Sequence, residues 1–281
     1  MKKWVRTLGI ALALGLSSTG MADAETRGKA LVLGDSVAFG YIGSAGYEYI
    51  NPENFVGFAD DLEPLLQVDV TDAACPGETS GSFLSATAID NGCRRFRAAF
   101  PLHADFPATQ LQFALGFLQR QSGVRLVTVT LGANDGFLLE DGCAAQANPT
   151  LCIEAGVPAF LATVDRNLQY IIAAIHATGF SGTIVVTNYY STDYSDPQQT
   201  GLTVLLNQAL AAAAAAQGAV VADLFTAFEA RAANPLFAGK TCATGLLNAS
   251  VSNQLLCDVH PSPSGHRLIA QTIAQTYRHA H

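Results

Sequence analysis

The 281-residue chain has no C-x-x-C pair and no histidine at metal-ligand spacing, which argues against a zinc site. It has no internal repeat, no low-complexity linker and no apolar run long enough to span a bilayer. Positive charge is scarce: 15 Lys and Arg stand against 23 Asp and Glu, a formal charge of −8. An acidic chain this poor in lysine is a weak partner for nucleic acid or an anionic membrane.

The N-terminus reads as an export signal. Lys2, Lys3 and Arg6 precede a short apolar core, Leu8 to Leu16, and Ala22-Asp23-Ala24 has the small-residue form of a cleavage site. Residues 1–24 are therefore expected to be a secretory signal peptide. No cysteine stands directly after the cleavage site, so a lipid anchor is not expected. Removing the segment takes away three basic residues and one acidic one, leaving a formal charge of −10. The remaining 25–281 is long enough for one large domain with a substantial apolar core.

All six cysteines lie in that part. An even number in an exported chain points to disulfides, and six allow 15 connectivities. Each consecutive pair is local and flanked by Gly, Pro or Asn, so the expected set is Cys75–Cys93, Cys143–Cys152 and Cys242–Cys257.

Five apolar runs read as strands: 29–34, 65–74, 124–132, 182–190 and 218–224. The strongest are continuous rather than alternating, which implies burial on both faces, as in a parallel sheet. Helical spacing separates them, at Leu111, Leu115 and Leu118, at Phe160 to Ile175, at Leu202 to Leu210, and at Ile269, Ile273 and Tyr277. Strand–helix alternation of this kind implies βαβ units and an α/β sandwich. Segments 75–105, 136–157 and 234–263, rich in Gly, Asn and Pro, are expected to be irregular.

In parallel α/β sheets, sites form beyond the carboxyl ends of the strands. The first strand ends at Gly34-Asp35-Ser36, the second near Gly77, and the third at Gly132-Ala133-Asn134-Asp135; His260 falls in an expected loop before the last helix. Together these offer a hydroxyl, a glycine amide, a carboxamide and an imidazole. A serine needs a base to become a nucleophile at neutral pH, and His260 supplies one. The oxyanion of an acyl-transfer intermediate needs preorganised donors, and the amides of Ser36 and Gly77 with the Asn134 side chain supply three. Alone, Ser36 would read as a helix N-cap and Asn134 as a turn residue. Asp35 and Asp135 read as structural hydrogen-bonding residues.

On these blocks, in this order, the chain resembles the SGNH, or GDSL-type, hydrolases, and the resemblance covers essentially all of residues 28–281. It implies a single hydrolase domain over 25–281. The implied fold is a three-layer, flavodoxin-like α/β/α sandwich with a mainly parallel five-stranded sheet. The implied activity is ester hydrolysis, as an esterase or lipase, with no metal or organic cofactor. The expected protein is a secreted monomer without a stable membrane anchor, acting on a small-molecule or lipid ester. One departure stands out. The family often has an aspartate three residues before the histidine, where this chain has Cys257; Asp258 lies only two before. Either Asp258 or a backbone carbonyl near Cys257 orients the ring, the latter as in Ser-His dyad members of the family.

Other readings are a polysaccharide O-deacetylase on the same fold and a non-catalytic surface-binding module. Phe83, Phe137, Leu138, Leu139, Tyr189 and Tyr190 read either as exposed apolar residues suited to a lipid ester or as core. His266 reads as a surface or capping residue. No G-x-S-x-G elbow exists, which disfavours the α/β-hydrolase fold.

Overall fold

The computed structural model describes residues 27–250 and 257–281. The expected signal peptide, residues 1–24, lies outside the described residues. In chain order the elements are β1 (Gly28–Gly34), α1 (Ser36–Phe39), α2 (Phe58–Leu66), β2 (Val68–Asp72), α3 (Ser80–Leu84), α4 (Cys93–Ala99), α5 (Gln110–Arg120) and β3 (Val124–Thr130). They continue with α6 (Ala133–Cys143), α7 (Pro149–Ala177), β4 (Thr183–Thr187), α8 (Pro197–Ala216), β5 (Val220–Ala222) and α9 (Leu224–Ala232), then β6 (Leu247–Ala249), β7 (Cys257–Pro261) and α10 (Pro263–His279).

Five strands form one parallel sheet in the order β2-β1-β3-β4-β5. The chain order reverses between β1 and β3, and in such sheets a crevice opens at that switch point, beyond the strands' carboxyl ends. Ala30, Leu31, Val32 and Leu33 are all fully buried, so β1 is covered on both faces, as its unbroken apolar run requires. One face is covered by α2, α9 and α10, the other by α3, α5, α7 and α8, with α6 packed on α7. A second, two-stranded antiparallel ribbon, β6–β7, lies outside this sheet.

The long helices start where the chain supplies caps. Asn148, Asp196 and Ser262 each accept backbone N–H bonds at the first turn, and a proline follows each at the next position. One stripe of α7, from Phe160 through Val164, Leu168 and Ile171 to Ile175, is buried against the core.

Two expectations fail in these helices. Segment 136–157 is mostly helix, split between α6 and α7; its Gly, Asn and Pro mark the helix ends and close α6–α7 packing rather than a loop. His266 is 2% exposed, because it shares the buried face of α10 with Ile269, Ala270 and Ile273. Of the apolar residues left open between exposure and core, Phe83, Tyr189 and Tyr190 are core, while Phe137 is 38% exposed. The disulfides are Cys75–Cys93, Cys143–Cys152 and Cys242–Cys257. They close the 75–93 loop, the α6–α7 turn and the approach to β7. Asn248, within a glycosylation triplet by sequence, turns its Nδ2 inward to donate to Pro261 O (2.8 Å).

Candidate active site

Ser36 opens α1 directly beyond β1. The helix cap is its neighbour: Asp35 Oδ1 accepts from Val37 N (2.9 Å), which leaves the Ser36 hydroxyl free for other work. The strand end beneath it is clamped. Gly34 N donates to Gln110 Oε1 and Gly34 O accepts from Gln110 Nε2, both at 2.8 Å. Gly34 O also accepts from Cys75 N (3.0 Å), and Asp35 N donates to Thr130 O on β3 (3.0 Å). Gly34 has φ +142°, and a Cβ there would collide with Thr130 O, so only glycine fits this junction.

His260 stands on β7, a short strand where a loop was expected. Its Nε2 lies 2.9 Å from Ser36 Oγ and its Nδ1 2.7 Å from Asp258 Oδ1. Burial pushes the Asp258 carboxyl up, but its bond to His260, its electrostatic attraction to that ring and the Gly43 N–H outweigh this and hold it below the usual range. An ionised carboxylate only accepts, so Nδ1 carries the proton, Nε2 is the acceptor, and Ser36 donates to it. This chain of bonds can draw a proton from the serine and hold the resulting imidazolium. The ring packs on Tyr41 (4.8 Å between centroids). Of the two orienting groups left open by the sequence, Asp258 is the one in contact with Nδ1.

Among the described residues, two hydrogen bonds and a disulfide from outside the ribbon help hold β7 in place. Tyr190 Oη donates to Val259 O (2.6 Å), Gly43 N donates to Asp258 Oδ2 (3.0 Å), and Cys242–Cys257 ties the strand's first residue.

Asn134 lies in the first turn of α6, 5% exposed, and its Oδ1 accepts from Asn91 Nδ2 (2.8 Å). Asp135 turns away from the serine: its carboxylate accepts from Ser80 N (2.8 Å) and Ser80 Oγ (2.7 Å). Gly77 has φ +84° and is buried; its O accepts from Asn91 N (2.8 Å), and its N–H meets no acceptor among the described residues. Neither Gly77 nor Asp258 lines the cavity that Ser36, Asn134 and His260 share.

That cavity measures about 600 Å³, within the usual range for small-molecule sites. Ser36, Asn134 and His260 line it. Its walls come from α6 with Phe137, α7 with Val157 and Phe160, and α8 with Leu202 and Leu206. The charged residues lining it are Asp35, Glu140, Glu154 and Asp196, with no Lys or Arg among the described residues. Burial raises the Asp35 pKa to about 6, against the bonds from Tyr189 Oη (2.6 Å) and Val37 N.

Among the described residues, Cys75, Glu78 and Cys93 form the one group with metal-ligand donors close together, but the two sulfurs are joined in a disulfide and offer no thiolate. His266 has no hydrogen-bond partner for either ring nitrogen among the described residues; burial and the nearby His260 lower its pKa to about 3, so it is neutral.

Sequence reasoning missed Gln110, Asn91 and the hydroxyls of Tyr189 and Tyr190. None lies in a motif, and their partners are remote along the chain.

A comparison with protein families matches residues 32–268 to the GDSL-like lipase/acylhydrolase family. A comparison with curated proteins finds no match. Among solved structures, phospholipase A1 from Streptomyces albidoflavus NA297 is similar with a TM-score of 0.56 at 17% identity, covering 89% of this chain and 98% of that one. LAE5, an α/β hydrolase enzyme from the metagenome of Lake Arreo, Spain, gives 0.56 at 15% identity, covering 90% and 96%. Axe2, an acetylxylan esterase from Geobacillus stearothermophilus, gives 0.53 at 14% identity, covering 89% and 94%. At these identities the likeness is one of fold, an α/β sandwich with a five-stranded parallel sheet. With the family match running from β1 into α10, across every block that carries the site, the chain belongs to the GDSL-like lipase/acylhydrolase family.

Proposed function

We propose that this protein is a secreted serine ester hydrolase that cleaves esters of extended acyl chains. Ser36 Oγ attacks the ester carbonyl as His260 Nε2 takes its proton, while Asp258 holds the imidazolium. The Ser36 amide, the Gly77 amide and Asn134 Nδ2 face the oxyanion. The imidazolium then returns the proton to the departing alcohol, leaving an acyl group on Ser36. Water, deprotonated by His260, attacks that acyl group and frees the acid and the serine.

The observation that carries this reading is the unbroken hydrogen-bond chain Ser36–His260–Asp258, whose serine and histidine line a mostly apolar cavity of about 600 Å³. The fold alone does not choose a substrate, since a phospholipase and an acetylxylan esterase share it. The cavity favours the longer acyl group: acetate would leave most of the wall between Phe137, Phe160 and Leu206 uncovered, whereas each buried methylene contributes about 0.8 kcal/mol. Its carboxylates favour a neutral or cationic alcohol portion over an anionic one. Export is supported by the basic–apolar–A-x-A start and by three disulfides, which persist in oxidising compartments.

The test is a chain-length series of nitrophenyl esters with Ser36→Ala as control. Turnover that rises from acetyl to longer chains, with phosphonate labelling lost in Ser36→Ala, is the expected result. A sharp preference for acetyl would turn the reading towards deacetylation. Labelling that persists without Ser36 would end it.

A further inference from the structure

A carboxamide has two ends of nearly equal size and opposite hydrogen-bonding character. If Asn134 is to stabilise an oxyanion, its NH2 end must face Ser36; the flipped amide would turn a carbonyl oxygen towards developing negative charge. The backbone of α6 does not decide between the two. Asn91 does. Its Nδ2 donates to Asn134 Oδ1 at 2.8 Å, and a flip of Asn134 alone would set donor against donor in a site where Asn134 is almost wholly buried.

The same residue touches the other expected donor. Asn91 N donates to Gly77 O at 2.8 Å, and a Cβ on Gly77 would strike the Asn91 carbonyl. Asn91 is itself held on both sides. Thr79 Oγ1 donates to Ile89 O (2.9 Å), the Asp90 carboxylate accepts from Gly92 N (3.1 Å) and Arg94 N (3.0 Å), and Cys93 is bonded to Cys75.

We infer that Asn91 is a positioning residue for the oxyanion pocket, fixing which end of the Asn134 amide faces Ser36 and fastening the Gly77 peptide beside it. This rests on the ester-hydrolase reading above. Asn91 touches neither the serine nor the cavity; it acts through Asn134 and Gly77.

The test is Asn91→Asp, the same shape with acceptors only. Its carboxylate draws Asn134 Nδ2 towards itself and turns Oδ1 to the serine. With a nitrophenyl ester, kcat should fall about 10²–10³-fold, the size of losing one oxyanion donor, with KM and the melting temperature close to wild type. Because Asn91 acts through Asn134, adding Asn91→Asp to Asn134→Ala should cost little more than Asn134→Ala alone, a non-additivity that a merely structural role would not produce. Asn91→Ala keeps the backbone bond to Gly77 and is read by the same criteria if Asn91→Asp fails to fold; its loss should be smaller. Wild-type kcat in both Asn91 variants, or losses that multiply with Asn134→Ala, would overturn the inference while inactive Ser36→Ala and slow Asn134→Ala leave the hydrolase reading standing. Full turnover in Ser36→Ala and Asn134→Ala would overturn both.

Discussion

The two ends of the Ser36–His260 bond rest on unlike supports. Ser36 follows a strand buried on both faces and paired on both sides, with the strand's last peptide gripped by Gln110 and Cys75 N. His260 stands on an arm: a short ribbon outside the sheet, tied among the described residues by a disulfide, a tyrosine hydroxyl and a glycine amide. Disturbing the first support should unfold the protein. Disturbing the second should spoil the chemistry while the sheet stays intact.

The sharpest challenge to that contrast is Asp258→Asn. The arm's carboxylate selects the imidazole tautomer, so kcat should fall about 10⁴-fold, as in triads that lose their aspartate, while the melting temperature moves little. A loss of only about tenfold would mean that a backbone carbonyl orients the ring, and would detach Asp258 from the arm's function. Steady-state turnover of a nitrophenyl ester measures it.

Replacing both Cys242 and Cys257 by alanine comes next. The bridge spans 15 residues, and closing a loop of that length is worth about 3 kcal/mol. Displacing the imidazole by about 1 Å can cost up to ~10²-fold in turnover. Turnover should therefore be lost below the temperature at which the far-ultraviolet circular dichroism of the sheet changes. If both fall together, the arm and the sheet are one cooperative unit.

A smaller effect belongs to the wall. Val157→Trp fills part of the cavity and should lower kcat/KM for long-chain esters by roughly fourfold per excluded methylene, leaving acetyl esters unchanged. The chain-length profile reads this directly.

The mildest prediction concerns pH, and the two supports respond with opposite sign. Under the serine, burial raises Asp35 to about 6 and Asp72 and Glu78 to about 7, so the folded protein keeps protons that the unfolded chain releases near pH 4. Their contribution to stability thus falls as pH rises from about 4 through about 7. Asp258 is depressed, so its contribution is present above the ordinary carboxylate pKa and is lost as pH falls through the lowered value. The melting temperature should be higher at pH 5 than at pH 8, and Glu78→Gln should flatten that slope. An unchanged slope in Glu78→Gln would remove Glu78 from this account.

The strands and the expected site blocks were legible because their signals are local. Continuous apolar runs such as Lys29–Gly34 identify buried strands, and Gly34-Asp35-Ser36 carries its own turn chemistry within three residues. The α6–α7 hairpin was misread because Gly136, Gly156, Asn148 and Pro149 look like loop residues, yet they serve close helix contact and capping. His266 was misread because a single histidine carries no sign of which helix face it occupies. Least legible were the residues that orient the site: Asn91, Gln110 and Tyr189 bond across 43, 76 and 154 positions, and no window of sequence contains both partners.

Gln110 also changes where the central strand stops. Its carboxamide offers one donor and one acceptor to the same residue, the pairing that a neighbouring peptide would provide. A side chain from α5 thus adds a last rung to the ladder at the point where the backbone must turn out of the sheet to present the hydroxyl. Gln110 Nε2 also donates to Glu78 Oε2 (2.8 Å), so Gln110→Glu would take away that rung's donor and set a second carboxylate against Glu78, and the strand would fray from its business end inward.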